Sequence, residues 1–208
     1  METVYQLMMG VSLAACAGVR ATLPMLAVCI LARSNHGMLN GSYEFLRSDG
    51  MLIILSVATV LEFLGDKFIA IDHFLDVIGT LARPVAGTLL TASLLTKVDP
   101  QTALMLGLVA GGATAFTVHA GKSATRVKTS LFAPLHAGLG NLALSFGEDA
   151  MVVGGIVAAV LAPVLAIFLA SALVGLAVVM VVLAMKTGQH LMNLIWPVQS
   201  EPALAVAR

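Results

Sequence analysis

"AMVVGGIVAAVLAPVLAIFLASALVGLAVVMVVLAM", residues 150–185, runs for 36 residues without one charged side chain. As a single straight helix it would be roughly 54 Å long, against about 30 Å of bilayer hydrocarbon. It therefore holds more than one crossing, and Pro163 or Gly175 marks the break. The stretch shows no strand-like alternation, so the spans are helical. The whole chain agrees: 59% of its residues are hydrophobic and 11% charged, and mean hydropathy is +1.00. Such values lie outside soluble usage.

The expected fold is all-α, a polytopic helical membrane protein with about six membrane segments. Working back along the chain, the first span covers Val4 to Leu31, and the polar stretch "RSNHGMLNGSYEFLRSDG" after it reads as an exposed loop. Met51 to Gly65, Val77 to Thr96 and the glycine-rich Ala103 to Ala120 are the next apolar segments. Phe132 to Gly147 reads as a short or re-entrant helix. The tail carries Trp196 as an interfacial anchor.

"LEFLGDK" can be laid on "ALSFGED", and "LARPV" on "VLAPV". This suggests an inverted repeat of three segments, with a first unit over 1–98, a second over 103–186 and an interfacial tail over 187–208. Short, Gly- or Pro-interrupted segments at matching places in two halves are where such folds hold their site.

Eleven basic and eleven acidic side chains cancel. No global field favours nucleic acid, so the expected partners are the lipid bilayer and a small solute or ion, with a homodimer to enclose a path. The start "METVYQ" lacks a basic region, so insertion through the first helix is expected. Cys16 and Cys29, about 20 Å apart on a straight helix, are packing residues.

The charges are concentrated. Arg20 sits in "AGVRATLP", and "EFLGDKFIAIDHFLD" (62–76) brings Glu62, Asp66, Lys67, Asp72 and Asp76 together. A charge at the bilayer centre costs about 2.5 to 3.5 kcal/mol, so such groups pair, face a cavity or take up a proton. Arg20 cannot discharge, and Glu62 or Asp66 is its expected partner. Asp72, Asp76 and Arg83 share one helical stripe. His119, Lys122 and Arg126 recur on another face, where anion binding and contact with lipid headgroups are both open readings. Glu148 and Asp149 precede the uncharged run, and capping a helix N-terminus is their default role.

"HAGKS" lacks the first glycine of a P-loop, since Phe116 stands there. "DVIGTLAR" has Ile78 where the acid-rich motif of membrane CDP-alcohol phosphotransferases has an aspartate. No hydrolase triad or zinc pattern occurs. The polar residues in "GVSLAACAGVRATLPML", "LEFLGDKFIAIDHFLDVIGTLARPVAGTLL" and "VHAGKSATRVKTS…FGEDAMVV" resemble an uncharacterised family of bacterial integral membrane proteins, domain of unknown function 4126. That resemblance implies a multi-pass protein of the bacterial cytoplasmic (inner) membrane and supplies no activity.

The expected function is transport or channel-like passage of an ion or small solute, which would be anionic if the basic groups hold it. No cofactor is expected. Two alternatives stay open: an enzyme acting on a lipid or polyprenyl phosphate, with the acids binding a divalent metal, and a non-catalytic assembly module held by structural ion pairs.

Overall fold

Small residues decide which helix lies at the centre. Lipid tails are as apolar as leucine, so helices associate in a membrane where small side chains let backbones approach. The first helix, α1 (Glu2–Val19), is rich in them, and Gly10 and every residue from Ser12 to Val19 are buried. A Cβ on Gly18 would lie 2.6 Å from the Ala115 carbonyl oxygen, and one on Gly10 would lie 2.8 Å from Thr91 Cα.

The structure is a computed structural model that describes residues 1–65, 69–132 and 137–195, with side chains for 1–65, 77–125 and 145–189. After α1 come α2 (Thr22–Ser34), α3 (Asp49–Gly65), α4 (Ile69–Leu94), α5 (Pro100–Leu106), α6 (Ala113–Phe132), α7 (Ala137–Leu161) and α8 (Pro163–Ile195). A 3-10 turn, Gly41–Arg47, precedes α3, and a π-helical turn, Gly107–Gly112, joins α5 to α6. Among the described residues there is no strand. Helices α4, α6, α7 and α8 pack around α1, while α2 packs on α3.

Large apolar side chains point outward. Ile53 and Val57 on α3, Leu81 on α4, and Phe168 and Leu176 on α8 are all exposed. A continuous apolar surface of this kind suits lipid and not water. Among the described residues, three helical stretches are long and apolar enough to cross a membrane: Val77–Leu94, Pro100–Thr125 and Pro163–Gln189. The 3-10 turn and α3, bent by 61°, make a fourth if counted as one span.

Several expectations change. The Val4 to Leu31 span is interrupted between α1 and α2. Residues 137–147 are not a separate re-entrant piece but the start of α7, which continues to Leu161. The break in the uncharged run falls at Pro163, whose ring removes a donor and constrains Ala162; Gly175 lies inside α8. The polar stretch after α2 is only partly exposed, because Leu39, Tyr43 and Leu46 are buried. Asn40 ties it down, its side-chain amide donating to the Leu95 and Val98 carbonyls at 2.8 and 2.9 Å. Both carbonyls lie in the turn just past the end of α4, so the two bonds fix the stretch to that helix end.

Asp99 caps α5 by accepting from the Thr102 amide at 3.0 Å. Bonds from the Thr102 side chain and backbone hold its carboxyl below the ordinary 3.8. The cap's contribution is therefore complete above that value and is lost as pH falls through the lowered one. Titration followed by NMR should place Asp99 below 3.8 in the native chain and return it toward 3.8 in Thr102→Val.

Candidate functional site

Pro24 specifies where the first span breaks. In a continuous helix its ring would collide with the carbonyl of the residue four before it, which is Arg20. In the first turn of a new helix the missing N–H costs nothing. Accordingly α1 ends at Val19, Arg20 is extended with φ −136° and ψ 117°, and the helix resumes at Thr22. The break leaves carbonyls at the end of α1 and amides at the start of α2 inside a protein surrounded by apolar surface.

Side chains from other helices meet both ends. The Lys122 ammonium on α6 donates to the Val19 carbonyl at 3.1 Å and lies 2.9 Å from Glu148 Oε2 on α7. The Glu62 carboxylate on α3 accepts from the Ala21 and Thr22 amides, both at 3.1 Å, and from the Thr22 hydroxyl at 2.5 Å. A cation thus faces the negative end of one half-helix and an anion faces the positive end of the next.

Between these ends Arg20 turns inward and is 3% exposed. Its Nε pairs with Asp149 Oδ1 on α7, and its Nη2 donates to Ser145 Oγ at 3.3 Å. The guanidinium carbon stands 5.8 Å from the centroid of the Phe63 ring, within cation–π range. Of the two partners expected for Arg20, Glu62 is bonded to the α2 amides and Asp66 lies outside the described residues, while Asp149 pairs with Arg20. The capping role expected of Glu148 and Asp149 is corrected: α7 begins at Ala137, so both lie well inside it.

A second cluster adjoins the first along α6. Arg83 Nη1 contacts His119 Nδ1, and Thr80 Oγ1 lies 3.2 Å from His119 Nε2. Arginine can only donate, so Nδ1 is the acceptor in this contact. Gly79 leaves the space for it, since a Cβ there would stand 3.0 Å from Arg83 Cζ. His119 and Lys122, one helical turn apart, are turned into the protein, at 3% and 6% exposure.

Arg20, Glu62 and Asp149 share a cavity of about 290 Å³ with apolar side chains that include Leu23, Phe63 and Val153. A second cavity of about 410 Å³, between α1, α7 and α8, has no charged residue in its lining. The structure therefore joins Arg20, Glu62, Lys122, Glu148 and Asp149 around the break, with Arg83 and His119 beside them. Asp66 and Lys67, and the side chains of Asp72, Asp76 and Arg126, lie outside the described residues. Among the described residues no group of three or more His, Cys, Asp or Glu side chains is placed to hold a metal ion. Ser145, Phe63, Thr22 and Thr80 were missed from the sequence, where neutral residues inside apolar helices carry no signal of their own.

Neither a curated protein nor a solved structure matches the chain. A family model does match most of the chain. That model, described as Domain of unknown function (DUF4126), covers residues 7–183, and the chain belongs to this family.

Proposed function

We propose that the protein is a small helical transporter that moves an ion or small solute past the charged break between α1 and α2. The observation that carries this reading is the interrupted helix itself, whose opposed ends meet Lys122 and Glu62 with Arg20 and Asp149 beside them. Discontinuous helices with charged or substrate groups at their half-helix ends are how transporter folds build a site within the bilayer. A purely structural ion pair needs no such break.

The same reading includes two inverted three-segment halves in the cytoplasmic membrane of a bacterium. The alignment of "LEFLGDK" with "ALSFGED" supports it, because it makes Phe63 and Ser145 equivalent, and both contact Arg20. Pro84 and Pro163 weigh the other way, since one lies inside α4 and the other opens α8.

The test is movement across proteoliposomes under an imposed proton gradient or diffusion potential. Native protein should dissipate one of these faster than protein-free vesicles, and Glu62→Gln should fall to the protein-free rate. Equal rates for native and empty vesicles would overturn the reading. Equal rates for native protein and Glu62→Gln would remove Glu62 from it.

A further inference from the structure

The cavity that holds the charged groups is walled mainly by hydrocarbon. Besides Arg20, Glu62, Asp149 and Thr59, its lining consists of aliphatic side chains and Phe63. Four of these apolar residues are also at the outer surface: Val60, Phe63 and Leu64 on α3, and Val153 on α7 are exposed. On α3 they continue the outward stripe of Ile53, Ile54 and Val57. The cavity therefore opens sideways, between α3 and α7, on a surface that suits lipid. A strongly hydrated ion gains little from such a wall, because shedding its water is repaid only at the few charged atoms.

The carboxylates in this cavity differ. Asp149 is paired with the Arg20 guanidinium. Glu62 is held by the Ala21 and Thr22 amides and the Thr22 hydroxyl, all of them neutral donors. A buried or half-buried anion satisfied only by neutral donors attracts a cation more strongly than one already paired. We infer that the cavity takes an amphipathic organic cation from the bilayer, its positive group against Glu62 and its apolar body against Leu23, Phe63 and Val153. This inference rests on the transport reading and names the substrate class for that site. Arg20 and Asp149 are the other charged groups facing the cavity; the side chains at 66–76 lie outside the described residues.

The probe is tetraphenylphosphonium, with tetramethylammonium matching its charge without the apolar body and tetraphenylborate matching its body with the opposite charge. Binding is measured on the full chain in detergent micelles. Native protein should bind tetraphenylphosphonium saturably, tetramethylammonium should not compete, and Glu62→Gln should weaken binding by about tenfold or more. Glutamine keeps an oxygen for the α2 amides, and circular dichroism checks that the fold is retained. As a second variant, Leu64→Trp should also weaken binding by narrowing the opening while every charged group stays.

Saturable tetraphenylborate binding without tetraphenylphosphonium binding overturns the inference. So does tetraphenylphosphonium binding that Glu62→Gln leaves unchanged. Absence of binding together with Glu62-dependent dissipation in vesicles overturns the amphiphile alone and leaves transport standing. Absence of both overturns transport as well.

Discussion

Replacing Arg20 with alanine is expected to lower the unfolding free energy by about 3 to 5 kcal/mol and to abolish movement across proteoliposomes. The size follows from what the substitution leaves behind. Asp149, 18% exposed inside α7, would lose the guanidinium beside it, and Ser145 Oγ would lose its donor. A carboxylate that loses its guanidinium in such surroundings draws in water or a proton. Arg20→Lys should recover little, because one ammonium cannot meet Asp149 and Ser145 while stacking on Phe63. Removing both partners in Arg20→Ala with Asp149→Ala should restore much of the stability, since neither charge is then stranded, but not the flux. Unfolding in detergent, read beside vesicle flux, separates the two effects. Native-like stability in Arg20→Ala would show that the pair carries little of the fold. Flux in the doubly substituted protein would show the charges to be structural only.

Arg20 also shows how far the sequence reading reached. A guanidinium in a lipid-surrounded helix must find a partner, so the need for one was legible from "AGVRATLP" alone. Which acid supplies it was not. Sequence neighbourhood offers Glu62 or Asp66, and helix-end logic assigns Asp149 a cap; both arguments are local, whereas the Arg20–Asp149 pairing is set by how α7 packs beside the break. The break itself was within reach, since the ring of Pro24 and the carbonyl of Arg20 cannot share one helix. Of the two breaks the uncharged run offers, Pro163 opens α8 for the same kind of reason and Gly175 lies inside it. The short helix expected to end at Gly147 instead continues as α7: a glycine costs a helix only about 1 kcal/mol, which packing of α7 against α1 and α8 outweighs. The apolar outer surface was legible from composition because it depends on amounts and not on arrangement. The inverted repeat remains a proposal, supported at the equivalent Phe63 and Ser145 and opposed by the unlike settings of Pro84 and Pro163.

Gly111→Ala is expected to cost about 3 kcal/mol or more, close to the upper end of overpacking effects. A Cβ there would lie 2.2 Å from the Gly87 carbonyl oxygen and 2.2 Å from Thr91 Oγ1, both on α4. The Gly87 contact is with backbone, so no rotamer change relieves it, and α4 and α6 would have to separate. The π-helical turn makes this approach tight. Its wider bonding pattern brings Gly107, Gly111 and Gly112 against α4, where added Cβ atoms would meet the Thr88 carbonyl, the Gly87 carbonyl and Thr88 Oγ1. Separation at this crossing would also pull Arg83 on α4 from His119 on α6, so flux should fall with stability. Gly175→Ala is the contrasting substitution. Nothing lies within 4 Å of a Cβ there, and the better helix propensity should leave stability unchanged or raised by up to about 1 kcal/mol. Unfolding midpoints of the two variants in the same detergent decide the matter. If both behave like the native chain, close approach of α4 to the π turn does not hold the two helices in register.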